Sequence, residues 1–267
     1  MKVEASSSLV RGVETLVGLA EAGGPTAFSV LGASLRMPHS TVHRILQALK
    51  KAGYVTQDPA TGSYSPGVAF LQAATLFCSQ STLPRSIESA LNSLVEDSGE
   101  SAFFGIYLPQ SQRMRFFAQL YSEHAVHYVL RKDKDYSLLW GASGRSIAAH
   151  LELKLLQVLY ERSQKDDEGK AELPRWTDFR TEMNSIRAAG FCTTYNQRFE
   201  GAHSVAAAVL GSHGAVLGCI GICMPSQRRN PANIERLGEL VKAAALHLST
   251  VAKCVIEPPS LHNLGAL

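Results

Sequence analysis

Seven polar side chains between residues 40 and 51 could read double-stranded DNA. Hydroxyl, amide and imidazole groups hydrogen-bond to base edges in the major groove, and the cations of Arg and Lys suit guanine and phosphate oxygens. The seven are Ser40, Thr41, His43, Arg44, Gln47, Lys50 and Lys51. Residues 36–51 hold four Lys or Arg and no Asp or Glu. This local charge favours a nucleic-acid partner more than the net charge of +3 does.

Apolar residues in the same segment predict a helix that would present this polar face. They recur at the spacing that places four side chains on one side of an α-helix. These are Val42, Ile45, Leu46 and Leu49. Any amphipathic surface helix also has a polar face, so the pattern alone fits a helix that binds nothing.

The flanking residues predict a helix-turn-helix. An apolar stripe over residues 9–20 ends at Gly23-Gly24-Pro25, and a short helix follows with Ser29 as its expected N-cap. Arg36-Met37-Pro38 forces a turn before the polar-faced helix, and Gly53 permits its end. Such an arrangement places the second helix in the major groove.

A short hairpin, or wing, is predicted after this helix. Residues 54–56 and 63–65 favour two strands, and the turn-forming residues 58–62 lie between them. A further helix from Val68 to about Cys78 would connect this part to the rest of the chain.

The remainder of the chain mixes strands and helices in a pattern typical of α+β proteins. Strands are predicted at residues 102–108, 114–120, 125–130, 191–195, 204–210 and 215–223. Helices are predicted at residues 86–97, 146–151, 154–162, 177–189 and 231–255. We expect a DNA-binding domain over residues 1–67, a linker helix over 68–83, an effector-binding domain over 84–256 and a tail over 257–267.

One predicted strand carries small residues on one face. Alternation along the strand places Cys219, Gly221 and Cys223 together and sends Ile220 and Ile222 to the other face. Small residues can make room for a ligand or simply for a packed helix. The two thiols would lie about 13 Å apart at roughly 3.3 Å per residue, too far for one zinc ion. No dinucleotide-binding, P-loop or nucleophile-elbow motif occurs, so the sequence indicates no enzyme, metal or cofactor.

Composition excludes several protein classes. The 267 residues suffice for two domains, and no apolar run approaches the roughly 20 residues of a membrane span. Residues 1–5 lack a secretory segment, and the five cysteines are an odd number without a repeated spacing. We therefore expect a cytoplasmic protein with reduced thiols and no membrane partner.

Several segments, taken together in their order, resemble the IclR family of bacterial transcriptional regulators. In the first part these are Ser8–Leu16, Pro38–Leu46, Gly53–Val55 and Gly62–Gly67. In the second part they are Ser98–Ser101, Ala142–Ser146, Ile186–Phe191 and Cys219–Pro225. The resemblance implies a winged helix-turn-helix followed by a GAF-like or profilin-like domain whose sheet holds a small effector.

The resemblance also implies an effector site in the second domain. By position it would draw on Ala142, Ser143, Thr194, Ser204, Gly221 and Cys223. A helix start near Ser143 could hold a carboxylate through its unpaired N–H groups, so we expect a small organic or aromatic acid. Arg145 and Cys223 depart from the family pattern, which often has Lys and Ser or Gly there. His127, on a predicted strand, is a weaker candidate.

These observations favour a ligand-responsive transcriptional regulator that binds a palindromic operator as a homodimer or homotetramer. Two alternatives are an enzyme for a small carboxylic acid fused to a DNA-binding module and a DNA-binding structural protein. The base-reading candidates are His43, Arg44 and Gln47. The backbone-contacting candidates are Ser40, Thr41, Lys50, Lys51 and Arg11. A phosphate contact is an equal alternative for Arg44.

Overall fold

A computed structural model describes residues 8–80, 82–163 and 173–255. The chain divides into two compact units between residues 81 and 82, and each is described by itself below. The tail predicted over residues 257–267 lies outside the described residues.

Residues 8–80 of the first unit form four helices and a two-stranded hairpin. These are α1 (Ser8–Glu21), α2 (Phe28–Ser34), α3 (His39–Lys51), β1 (Val55–Gln57), β2 (Tyr64–Pro66) and α4 (Val68–Gln80). The apolar stripe predicted for α3 is confirmed, since Val42 and Leu46 are fully buried. They pack in one core with Leu19, Leu31 and Tyr64. The predicted helix-turn-helix and wing are therefore both present.

Two details at the helix ends differ from expectation or extend it. Ser29 is not the N-cap of α2, because the helix begins one residue earlier, at Phe28, and Ala27 precedes it without a side-chain cap. Thr26 adds an unpredicted bridge to the wing, since it exchanges two backbone hydrogen bonds with Tyr64. This bridge ties the loop before α2 to the hairpin.

The second unit is built on a six-stranded antiparallel sheet of order β5-β4-β3-β8-β7-β6. Its strands are β3 (Ser101–Leu108), β4 (Arg113–Leu120), β5 (Asp135–Tyr136), β6 (Cys192–Tyr195), β7 (Ala202–Leu210) and β8 (Val216–Pro225). Its helices are α5 (Thr82–Ser98), α6 (Gly141–Ala148), α7 (Leu153–Ser163), α8 (Trp176–Ala189) and α9 (Ile234–Val255).

Helices cover both faces of this sheet. Ile220 and Ile222 of β8 pack in a core with α5 and α9, whereas Cys219 and Cys223 pack in a second core with α6, α7 and α8. The predicted alternation along this strand is confirmed, and so is the α+β class. In the described part of the second unit, this sheet lies between two helical layers.

The prediction of a strand at residues 125–130 is wrong. This segment forms no strand, because the side chain of Gln119 on β4 takes the place of a backbone ladder. Its amide donates to the Tyr128 carbonyl at 2.6 Å and accepts from the Leu130 N–H at 3.0 Å. Backbone pairing with β4 occurs later, at Asp135 and Tyr136.

Within the described ranges, no helix is long and apolar enough to cross a membrane. The same ranges contain no group of three or more His, Cys, Asp or Glu side chains that could hold a metal ion.

Candidate functional sites

One side of α3 presents an exposed polar surface. Its centre consists of Ser40, Arg44, Gln47 and Lys51, all exposed and opposite the buried Val42. We name these four residues the outer face of α3. Residues three or four apart share a side of a helix, so these side chains could enter a groove together. Two cations and two hydrogen-bonding groups suit phosphates and base edges.

Two other predicted DNA-binding residues flank the outer face and contact neighbouring elements. The His43 ring packs edge-on against Phe28 of α2, with ring centroids 6.1 Å apart. The Lys50 ammonium donates to the Gln57 side chain on β1 at 2.8 Å. Both side chains are exposed, but each is oriented toward a neighbour, towards α2 or the wing.

The remaining two DNA-binding candidates lie off the outer face. Thr41 and Arg11 are half-buried, Thr41 on the flank of α3 and Arg11 on α1. Arg44 also borders a groove between α1 and α3 that Leu9, Val13 and Ala48 line. Arg36 was not among the predicted DNA-binding candidates, although it is exposed in the turn before α3. Arg36 has φ of 51°, a left-handed conformation that a non-glycine residue rarely adopts.

In the second unit, a row of small polar side chains crosses three strands. Thr194 on β6 pairs with Ser204 on β7, which in turn pairs with Cys223 on β8. Directly paired residues of antiparallel strands project to the same face. All three line a cavity, together with Ala142 and Ser143 of α6.

The start of α6 is bonded to the elements around this cavity. The Ala142 N–H donates to the Thr194 hydroxyl at 2.8 Å, and the Gly141 N–H donates to the Gln197 side chain at 3.3 Å. Gly141 has φ of 74°, which glycine adopts readily. The positive end of the α6 dipole thus faces the cavity near Ser143.

Two predicted effector residues do not line this cavity. Gly221 lies one pair further along β8, where an added side chain would collide with the Val205 carbonyl and the Phe103 ring. His127 lies on the irregular segment after β4, where its ring contacts Tyr121 at a centroid distance of 4.5 Å. The structure therefore brings five of the seven predicted effector residues together.

Three successive lining residues were missed by the sequence interpretation. Gln197, Arg198 and Phe199 belong to the connection between β6 and β7 and extend into the cavity. The Arg198 guanidinium donates to the Ser137 carbonyl at 2.8 Å and to the Trp140 carbonyl. The sequence signal for these residues is a cation followed by an aromatic residue in a short turn between strands. Strand periodicity does not extend into turns, so it could not assign these side chains to the cavity.

The other walls of the cavity are largely apolar. They include Phe103, Phe116, Leu130 and Phe199. The arrangement leaves about 20 Å³ for the centres of water molecules, room for about one. Burial raises the pKa of the Cys223 thiol to about 11, so this group stays neutral near pH 7.

Arg145, which departs from the expected family pattern, serves the fold of α6. It is buried, donates to the Leu139 carbonyl at 3.0 Å and forms an ion pair with Glu182 of α8. Its guanidinium also lies over the Phe179 ring, 5.7 Å from the centroid. The side chain is therefore directed away from the cavity residues and towards α8.

Two family models match this chain. The IclR helix-turn-helix domain matches residues 8–59, and the model of the bacterial transcriptional regulator IclR C-terminal region matches residues 77–250. The second match alone covers more than half of the chain.

Curated relatives agree with these models over nearly the full length. The transcriptional repressor IclR of Escherichia coli K12 is 22% identical over 238 residues, which cover 89% of this chain and 87% of that protein. The transcriptional repressor AllR of Klebsiella pneumoniae is 25% identical over 264 residues, covering 92% and 89%. These relatives are transcriptional regulators and not enzymes.

Solved structures show the same fold. The crystal structure of an IclR transcriptional regulator from Alicyclobacillus acidocaldarius has a TM-score of 0.68 at 14% identity, covering 93% of this chain and 99% of that one. The Thermotoga maritima IclR structure has a TM-score of 0.58 at 18% identity, covering 92% and 98%. With both family models matched in order, this chain belongs to the IclR family of DNA-binding bacterial transcriptional regulators.

Proposed function

We propose that this regulator binds a palindromic operator through the outer face of α3 and responds to a small organic or aromatic acid. The observation that supports DNA reading most directly is the exposed set of Ser40, Arg44, Gln47 and Lys51 opposite a buried apolar stripe. A helix with this division can lie in the major groove while its other side stays packed.

The contacts within the first unit refine the proposed roles. Arg44 and Gln47 would reach base edges, whereas Ser40 and Lys51 would contact phosphates. His43 and Lys50, which contact Phe28 and Gln57, would approach the DNA from the sides of the helix. Thr41 and Arg11, both half-buried, would position the backbone.

A palindromic operator requires at least two copies of α3. A homodimer or homotetramer would place two such helices in successive major grooves, with half-site centres about 34 Å apart. The repressors IclR and AllR, to which this chain is similar, support a role in controlling transcription.

The cavity of the second unit supports an acid as the effector. The N-terminal end of α6 is positively polarised, and Ser143, Thr194 and Ser204 offer hydroxyl groups around it. The aromatic walls suit an apolar or aromatic body. Effector binding would change the affinity of the protein for DNA. The size of this change is limited by how differently the effector binds the two conformational states of the protein.

Selection from random double-stranded DNA, followed by nuclease protection, tests the operator proposal. Wild-type protein is expected to enrich an inverted repeat with half-sites about one helical turn apart. The double variant Arg44→Ala/Gln47→Ala should lose this enrichment. The matched pair Arg180→Ala/Gln157→Ala, at exposed positions of the second unit, should retain it. Recovery of no preferred sequence by the wild type would overturn the proposal.

A further inference from the structure

The connection between β6 and β7 forms an anchored loop over the cavity. The Asn196 side chain accepts the Gly201 N–H at 2.7 Å, which closes the loop on itself. The Tyr128 hydroxyl donates to the Glu200 carbonyl at 2.6 Å, and its ring stacks on Phe199 with centroids 6.2 Å apart. The loop is thus held at both its base and its tip while its central side chains extend into the cavity.

The Arg198 guanidinium lies in a cradle of main-chain atoms and glycines. Besides donating to the Ser137 and Trp140 carbonyls, it lies over the Tyr136 ring, 5.0 Å from the centroid. A side chain added at Gly141 or at Gly144 would come within 3.0 Å of Arg198 atoms. Glycine at these two positions leaves the room that the guanidinium occupies.

The cavity as it stands is too small for a carboxylic acid. The roughly 20 Å³ left for the centres of water molecules holds about one water, whereas the smallest carboxylic acids have several heavy atoms. A ligand must therefore displace part of the lining. The half-buried Arg198 side chain is the longest in the lining, so a change of its rotamer would enlarge the cavity.

A carboxylate offers the guanidinium a better partner than these carbonyls do. A carboxylate adds the attraction between opposite charges, which a neutral carbonyl lacks, and the planar guanidinium can bind both carboxylate oxygens at once. Among the described residues that line the cavity, the others are polar or apolar and carry no formal charge. Two N–H groups of α6 are already bonded to Thr194 and Gln197.

We infer that Arg198 is the residue that selects a monocarboxylate effector. On effector binding, the Arg198 guanidinium would give up its hydrogen bonds to the Ser137 and Trp140 carbonyls and donate to the carboxylate of the ligand instead. This inference rests on the proposed acid-responsive function. The body of the acid would lie against Phe103, Phe116 and Phe199, so a planar aromatic monocarboxylate fits the site best.

The test measures binding of benzoate, 4-hydroxybenzoate, acetate and pyruvate, with benzamide as the uncharged counterpart of benzoate. Calorimetry and thermal unfolding are followed for wild type, Arg198→Met, Arg198→Lys and the control Arg180→Met, which makes the same change at an exposed position of α8. Both tryptophans lie in the second unit, so tryptophan fluorescence reports its unfolding.

At least one aromatic acid is expected to bind wild type and Arg180→Met equally, while benzamide does not bind. Arg198→Met should weaken that binding by about 10- to 100-fold, and Arg198→Lys should recover part of it. If wild type, Arg198→Met and a folded Arg198→Lys all bind the acid equally, the proposed role of Arg198 is wrong. Binding of benzamide as tightly as benzoate, or of none of the four acids, would overturn it too.

The same proteins separate this inference from the proposed function. Wild type that selects an operator but binds none of the acids would remain a regulator without the assigned role for Arg198. Wild type that binds benzoate through Arg198 but selects no DNA sequence would instead overturn the proposed operator reading. Retention of operator selection by Arg198→Met shows that the substitution has left the first unit folded.

Discussion

Arg44 and Lys51 lie on the same outer face of α3, yet we expect their substitutions to act differently. Loss of a base contact costs about 1–3 kcal/mol of discrimination against the wrong base, whereas loss of a phosphate contact weakens binding to every sequence. Arg44→Ala should therefore lower the preference for the operator over random DNA. Lys51→Ala should lower both affinities and reduce the salt slope by about one.

Fluorescence anisotropy with operator and scrambled duplexes at several salt concentrations measures both effects. Lys132→Ala, an exposed change in the second unit, is the control and should leave both affinities unchanged. Equal losses on the two duplexes for Arg44→Ala would assign Arg44 to a phosphate instead.

Because the second unit contains buried thiols, we expect its stability to fall at alkaline pH. Burial raises the pKa of Cys219 from its usual value near 9 to about 12. Between these values the unfolded chain loses the thiol proton and the folded chain keeps it, so stability falls as pH rises. Each such thiol contributes a loss of about 1.4 kcal/mol per pH unit in this window.

Urea unfolding followed by tryptophan fluorescence at about pH 8 and about pH 10 isolates this effect. The loss of stability between the two values should be smaller by about 1 kcal/mol in Cys219→Ala than in wild type. An identical loss in both proteins would show that the Cys219 thiol ionises in the folded state.

Individual site residues differ in how far the sequence could reveal them. The outer face of α3 could be predicted because a helix repeats at fixed spacing, and Val42 and Leu46 fix its orientation. His127 could not be placed, because a side-chain amide from Gln119 replaces the expected strand pairing there. The place of Arg198 in the cavity could not be predicted, because it depends on a loop that Tyr128 anchors, 70 residues earlier in the chain.

At the scale of elements, Gly67 fixes how the wing meets α4. Its N–H donates to the Tyr54 carbonyl at 2.8 Å, and an added side chain would collide with the Gly53 carbonyl oxygen. Main-chain atoms cannot yield as a flexible side chain would. Gly67→Ala should destabilise the first unit by about 1–3 kcal/mol.

Gly24→Ala is the matched control, because nothing lies within 4 Å of the side chain it would add. Urea unfolding followed by far-ultraviolet circular dichroism and operator binding should both be impaired in Gly67→Ala and unchanged in Gly24→Ala. Normal unfolding of Gly67→Ala would show that the wing and α4 can separate at no cost.

Most elements could be predicted because their periodicity is local. Gly53 lies two residues after the end of α3 and Gly190 directly follows α8, and both have the positive φ that glycine permits. The two-residue strand β5 could not be predicted, since Asp135 and Tyr136 are too few for a periodic pattern. The sheet order also depends on pairing between β3 and β8, which are distant in sequence.

For the whole molecule, separate cores predict separate responses to core substitutions. Leu46 is fully buried in the core of the first unit, and the two tryptophans belong to the second. Leu46→Ala should destabilise the first unit by about 2–5 kcal/mol and impair operator binding. The tryptophan-monitored melting temperature should stay at its wild-type value, and a parallel fall would show that the units unfold together.

One proposal links the two units: an acid in the cavity changes the occupancy of DNA by α3. The most direct measurement is operator affinity as a function of the concentration of the acid that most raises the melting temperature. We predict a change of about 5- to 150-fold in operator affinity, with no such change for a scrambled duplex. An acid that saturates the second unit and leaves operator affinity unchanged would contradict the claim.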